Sequence, residues 1–428
     1  MGFIKNFDAL NTSPERKIVL DLIESALTSI QPEKIMQETC KIEEGKLQIA
    51  DKTYDLSLYE RIFLIGFGKG SAGISKNIEE KLENKLTEGH VIDTNPETFS
   101  KIHFTQGSHP LPSTLNLAFT QALLKRLATL QLTEKDLVLV VICGGGSAML
   151  VAPYSIPIEK QIEVGKALLK SGANIKEMNT VRQHLSEVKG GGLAERLYPA
   201  TVASMIFSDV PGNDTTYIAS GPTAHIPTSI SDAKAILEKY NLTQELNLSD
   251  NAFLENPQDE KYFEKVSNII VLSNKTALSA MQEKAKELGI SATIFSDQFE
   301  GNANEAGSKL IQETQPKSIL LAGGETTVHV EGEGGKGGRN QEVVLAALPN
   351  IDDKTIICSF DSDGWDNTEF AGAIGDSTVK NKASELSLNI PDFIDSHDSF
   401  HFFEQVGAGI DTGRLPSNVS DLFIVYKY

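Results

Sequence analysis

Four segments of the chain place glycines where the backbone could close around an anion: Gly66–Gly73, Cys143–Ser147, Gly323-Gly324-Glu325 and Gly332–Arg339. Each follows or joins a run that reads as a buried strand. In open α/β sheets, ligands bind at the carboxyl ends of the strands, where loops and helix N-termini present N–H groups. One such cluster is usually a plain turn; four point to a composite phosphate site. In the first, Gly68, Gly70 and Ser71 surround Lys69, whose ammonium would meet an oxyanion held by the flanking amides. The plainer reading is a solvated loop lysine. Gly144, Gly145, Gly146 and Ser147 form the second turn. In the fourth, Arg339 precedes a helix predicted over Asn340–Leu348, so its guanidinium would stand at a helix N-terminus as a second cation on a transferring phosphoryl group.

The carboxylates come next. Asp209, in Ser208-Asp209-Val210-Pro211-Gly212-Asn213-Asp214, would hold Mg²⁺ or accept a hydroxyl proton, because phosphoryl transfer requires charge neutralisation and an oriented nucleophile. Glu325 and Asp363 are further metal or hydroxyl-binding candidates, although Asp/Gly-rich turns are often structural. A helix predicted over Lys176–Leu197 carries an apolar stripe of Met178, Val181, Leu185 and Val188. Displaced by one residue run Asn179, Arg182, Ser186 and Lys189. On that periodicity Arg182 and Lys189 point the same way, as anion ligands or as a solvated basic face. A rival chemistry also fits: Gly68, Gly70 and Gly73 satisfy G-x-G-x-x-G, and Asp93 closes the next strand, a dinucleotide fingerprint by spacing. Ser147 lacks the final glycine of G-x-S-x-G, and no Walker A or protein-kinase signature is present.

Positioning these groups requires alternating strands and helices. Strands at residues 62–65, 90–93 and 137–142 alternate with helical patterns, including Thr114–Thr129, and this implies a Rossmann-like, doubly wound parallel sheet. A hairpin is expected around Glu44-Gly45, and a helix over Pro14–Ile30 behind a Thr12-x-x-Glu15 capping box. From Tyr240 to about Ser267 the chain turns polar and loses periodicity, which reads as an interdomain connection. The expected domains are therefore 1–258 and a smaller α/β domain over 259–428, with strands at 269–272, 292–295, 318–321 and 422–426.

The 428 residues carry a net charge of −19, which argues against nucleic acid as a partner. No apolar run approaches the ~20 residues of a membrane span. Three widely spaced cysteines, Cys40, Cys143 and Cys358, favour neither a disulfide framework nor a zinc site, so the cytoplasm is the expected compartment.

The segments IGFGKGSAG, GSHPLP, CGGGSAML, NTVRQHLSEVKGGGLA, SDVPGND, IASGPT, GGETTV, GKGGRNQE and SDGWDNTEFAGA together resemble type II glycerate kinases, the glycerate 2-kinases with a C-terminal MOFRL domain. The resemblance spans nearly the whole chain. It implies two α/β domains with the active site in a cleft between them, ATP as donor, Mg²⁺, and D-glycerate converted to 2-phosphoglycerate. It puts the family's site lysine on Lys69 and its arginine on Arg339. Beside these two, the candidate substrate- or phosphate-binding residues are Gly68, Gly70, Ser71, Gly144, Gly145, Gly146, Ser147, Asn179, Arg182, Lys189, Glu325 and Asn340, with Asp209 a catalytic candidate and Asp209 and Asp363 candidate metal ligands. Two motifs depart from the family. DGxDG is here Asp363-Gly364-Trp365-Asp366-Asn367, and the loop Thr412–Leu422 has gained Arg414, which would shift acceptor preference toward another hydroxy acid. The rivals are an NAD(P)H-dependent hydroxypyruvate reductase and a non-catalytic metabolite binder; homodimerisation is left open.

Overall fold

The computed structural model describes residues 2–330 and 332–428. It divides into two compact units, one of Ile35–Ser208 with Asn213–Val271, the other of Met1–Lys34, Asp209–Gly212 and Leu272–Tyr428. The units do not follow the 1–258 and 259–428 division expected from the sequence, because the N-terminal helix belongs with the C-terminal residues.

In the first unit, β1 (Cys40–Glu43), β2 (Lys46–Ile49) and β3 (Lys52–Asp55) form an antiparallel meander whose first turn is the expected hairpin at Glu44-Gly45. The main sheet contains β4 (Arg61–Phe67), β5 (Leu86–Asp93), β6 (Ile102–Gln106), β7 (Asp136–Ile142), β8 (Thr201–Phe207) and β9 (Val266–Leu272), in the spatial order β6-β5-β4-β7-β8-β9. The pairs from β6 through β8 are all parallel. β7 is buried along its entire length, as expected of a strand covered on both faces. This is the doubly wound order, with its topological switch between β4 and β7.

Three sequence expectations change here. The polar segment 240–267 is no linker: Leu242, Leu246, Ala252 and Phe253 pack into one core with Val164, Leu168, Val181 and Leu185. The strand expected at 269–272 completes this first sheet as β9, beside β8. The helix expected over Lys176–Leu197 stops at His184 and restarts as Gly192–Leu197. Between them Ser186 bridges to Pro153, and Gly190 and Gly191 take positive φ, a backbone that a helix cannot contain.

In the second unit, β10 (Ser291–Asn302), β11 (Ser318–Thr327), β12 (Thr355–Asp361), β13 (Gly372–Gly375), β14 (Gly409–Ile410) and β15 (Asp421–Lys427) form a mixed sheet ordered β10-β11-β15-β12-β13-β14. β15 runs antiparallel to both β11 and β12. The ends of β11 and β12 therefore share one sheet edge with the start of β15.

The N-terminal helix Pro14–Ser29 is capped by Ser13, whose Oγ accepts from the Arg16 N–H, and not by Thr12. Arg16 holds Asp376 bidentately at 2.6 and 2.9 Å, with both side chains nearly dry. Asp376 in turn caps the helix Ser377–Glu385 at Val379 N–H. Truncating Arg16 leaves a buried carboxylate unpaired, so Arg16→Ala is expected to cost about 3–5 kcal/mol. Denaturant unfolding followed by far-UV circular dichroism measures this; a loss under about 1 kcal/mol would show that packing, and not this pair, anchors the helix.

Candidate active site

The turns after β4 and β7 meet at the switch point. Cys143 N–H donates to Phe67 O at 3.0 Å, and Lys69 N–H to Gly144 O at 2.8 Å. Gly68 has φ 106°, and a Cβ there would run into the Cys143 carbonyl, so the close approach of the two turns requires glycine. The first turn is closed to anions, contrary to expectation. Ser71 N–H donates to Gly68 O, the N–H groups of Gly70 and Ala72 go to the buried Asp93 carboxylate, and Ser71 Oγ donates to Ile92 O. Gly68, Gly70 and Ser71 therefore shape the turn and do not cradle a phosphate. What the turn offers is the side chain of Lys69, exposed and without a hydrogen bond or ion pair among the described residues. Asp93 is likewise spent as a helix cap, with Asn95 N–H also on its carboxylate, which removes the acid that a dinucleotide ribose would need.

The second turn opens on a cavity of about 320 Å³, lined by His109, Gly145, Ser147, Gln161, Arg182 and Lys189 among others. Lys189 is 3% exposed. Its Nζ donates to Ser147 O at 2.7 Å and Leu150 O at 3.1 Å, and no carboxylate faces it. Burial, reinforced by Arg182, pushes its pKa down to about 7. Burial also lowers the pKa of Arg182, whose side chain makes no hydrogen bond or ion pair among the described residues. His109 is lowered by burial and by the charge of Lys69. Ser220 Oγ donates to Asn179 Oδ1 at 2.9 Å and stands 2.9 Å from Ser147 Oγ, so the Ser147 hydroxyl proton is left to Ser220. Arg182, Lys189, Asn179 and Ser147 are thus brought together, although the continuous helix expected to align them does not exist. Ser220 was missed; its positive φ of 63° marks it only once coordinates are in hand.

In the second unit, the shared sheet edge collects acids. Asp421 opens β15 in register with Gly324 on one side and Asp361 on the other, and Glu325 follows Gly324. Arg339 begins the helix Arg339–Ala347 and donates to Glu325 at 2.6 Å and to Asp421 at 3.3 Å. Burial opposes its charge, but Asp421 and Glu325 outweigh burial and hold the guanidinium firmly protonated. Asp421 is fully buried; burial raises its pKa against the pull of Arg339, and its Oδ2 has no partner among the described residues. Asp361 is raised in the same way, by burial and by Asp421. Asp366 accepts from the N–H groups of Asn340 (3.1 Å) and Gln341 (2.9 Å), so this helix end is also closed by a carboxylate. Gly338 lets that acid in, since a Cβ there would collide with Asp366.

Asn340, expected to touch ligand, is fully buried between Asp421, Asp366 and Ser359. Asp209 belongs to this unit through Ser420 Oγ, which donates to its carbonyl at 2.6 Å. Asp363 is held in a turn, its Oδ1 accepting from Trp365 N–H. No group of three or more His, Cys, Asp or Glu arranged to hold a metal forms among the described residues, so Asp209 and Asp363 are not parts of a dedicated cage. Asp361, Asp366 and Asp421 were missed as partners of Arg339, because strand register unites them and sequence distance conceals it.

The family profile described as a domain of unknown function, DUF4147, matches residues 18–255, and the MOFRL family profile matches residues 318–421. The chain is 33% identical to a glycerate 2-kinase of Pyrococcus horikoshii over 96% of both chains. It is 31% identical to a D-glycerate 2-kinase of Thermotoga maritima, covering 96% of this chain and 97% of that protein. The chain belongs to the glycerate 2-kinase family with a MOFRL domain. The crystal structure of the glycerate kinase from Thermotoga maritima superimposes with a TM-score of 0.82 and 30% identity, covering 96% of this chain and 99% of that one. The family's two departures meet each other: the Arg414 guanidinium lies 4.0 Å from the centre of the Trp365 ring. Asn367, replacing the family's glycine, keeps a positive φ of 55°, which asparagine tolerates better than most residues.

The Lys189 pKa yields a signed pH test. A depressed lysine loses its proton on rising through about pH 7, and an anion bound beside it restores the charge. The KM of the anionic substrate held here should be lowest below that pH and climb up to ~10-fold per unit above it. Lys189→Met should give a high KM that is flat across roughly pH 6–9. Initial rates with each substrate varied in turn decide this, and a wild-type KM that stays flat refutes it.

Proposed function

We propose that the protein transfers the γ-phosphoryl group of ATP to the 2-hydroxyl of D-glycerate, giving 2-phosphoglycerate and ADP. Full-length similarity to glycerate 2-kinases supplies the reaction class. The observation that carries the reading is that Lys69, Arg182 and Lys189 lack carboxylate partners in a chain of net charge −19. Acids are in excess, and cations left unpaired under those conditions await an anionic ligand.

In this reading the substrate hydroxyl oxygen attacks the γ-phosphorus and the bond to the ADP oxygen breaks. The hydroxyl proton goes to a carboxylate, for which Asp209 is the candidate. Lys69 binds and polarises the transferring phosphate, and Arg339, kept charged by Asp421, stabilises the equatorial oxygens as charge develops. Glu325 must share Arg339 with the phosphoryl group. Mg²⁺ supplies charge neutralisation on the nucleotide's phosphates and needs only one or two protein oxygens, with Asp209 and Asp363 as candidates. Cys40, Cys143 and Cys358 are buried, and no helix among the described residues is long and apolar enough to cross a membrane, which accords with a cytoplasmic enzyme.

Purified protein given ATP, Mg²⁺ and D-glycerate should form ADP, with ³¹P NMR assigning the product as the 2-phosphate. NADH oxidation with hydroxypyruvate and no ADP formation would refute the kinase. Lys69→Ala and Arg339→Ala should each lower kcat on the order of 10²-fold. Unchanged kcat in both variants would overturn their assignment.

A further inference from the structure

The cavity beside Lys189 is lined by side chains of two kinds. Arg182, Lys189 and Ser147 are polar or basic; Leu111, Ile162 and Leu169 contribute aliphatic wall. Leu111 and Leu169 are 51% and 68% exposed, apolar surface that gains from being covered. A three-carbon acid bearing oxygen on every carbon has nothing to offer such a wall. The volume of about 320 Å³ falls at the lower end of the roughly 300–1,000 Å³ typical for ligands of nucleoside size.

Polar groups interrupt the wall, Lys166 and Gln161 among them. Gln161 lines the cavity from the helix Ile158–Lys170, one turn before Gly165 and two before Leu169 on the same face. Its Oε1 is buried without a hydrogen-bond partner among the described residues, which carries a free-energy cost that turning the carboxamide toward a donor in the cavity would relieve. A carboxamide edge matches the adjacent donor and acceptor of an adenine ring, accepting from the exocyclic amino group and donating to a ring nitrogen.

We propose that this cavity seats the adenine base of the phosphoryl donor, with Gln161 reading the amino edge, the aliphatic wall covering the ring, and Arg182 and Lys189 holding its phosphates. The assignment rests on the kinase reading above and adds which substrate occupies this pocket.

Gly165 provides the test. A Cβ there meets only Arg182 Nη2, at 3.9 Å, so Gly165→Leu can be accommodated on its helix while filling the cavity. Gly165→Leu and Gln161→Leu should each raise the KM for ATP on the order of tenfold or more and leave the KM for D-glycerate within about twofold. Adenosine should inhibit the wild type competitively against ATP, and that inhibition should vanish in Gln161→Leu, while inorganic tripolyphosphate still competes. Circular dichroism and the retained glycerate KM confirm that the variants fold. A rise in the glycerate KM with the ATP KM unchanged would assign the pocket to the acceptor, and no change in either would leave it outside catalysis; both overturn the proposal. Failure of the wild type to form ADP from ATP and D-glycerate would instead sink the kinase reading itself.

Discussion

The ammonium of Lys189 lies out of water, held by two backbone carbonyls and facing the guanidinium of Arg182. Desolvation and like-charge repulsion both disfavour that state, and no carboxylate is supplied to relieve it. Folding tolerates the arrangement because the carbonyls of Ser147 and Leu150 are fixed by the turn after β7, and that turn is fixed by its bonds to the turn after β4. The doubly wound sheet thus serves to keep an uncompensated charge next to a cavity. A ligand carrying phosphate or carboxylate relieves that repulsion, so the electrostatic frustration of the two cations contributes to anion binding.

A second constraint governs where anions cannot go. The helix Ser71–Leu82 begins on the Asp93 carboxylate, and the helix Arg339–Ala347 begins on that of Asp366. In both, the dipole end that could take a phosphate is occupied by the protein's own acid. The recognition of anions is thereby transferred from amides to side chains, to Lys69 in one unit and Arg339 in the other. The capping acids also fix the backbone from which those side chains project. Lys69 stands one residue before an amide that Asp93 engages, and Arg339 one residue before an amide that Asp366 engages. A carboxylate that takes an anion's place can still determine where the cation stands.

The glycine turns, the alternation of strands and helices, and the parallel sheet were legible because they are local: each needs only a buried run followed by residues able to take positive φ. What failed was long-range. The break after His184 is imposed by the bridge from Ser186 to Pro153, which no helical periodicity reports. The segment 240–267 looked like a linker because its apolar residues are sparse, yet Leu242, Leu246 and Phe253 each find the same core. The N-terminal helix joined the distant C-terminal residues through Arg16 and Asp376, a pairing of residues far apart in sequence. The acids around Arg339 became a site only when β11, β15 and β12 were placed in register.

The departures from the family pattern show how such a site absorbs change. Arg414 alone would add an unpaired cation to the loop 412–422, and Trp365 alone would leave an indole face open. Stacked at 4.0 Å, each covers the other. The loop is also tied down by backbone and side-chain bonds that neither residue makes: Leu415 N–H donates to Asp363 O at 2.7 Å, and Ser362 Oγ to Ser420 O at 2.8 Å. Asn367 takes the left-handed conformation at the end of the turn that carries Asp366. The two substitutions therefore satisfy each other, and a change of acceptor would have to arise from the exposed Arg414 stacked on the half-buried Trp365.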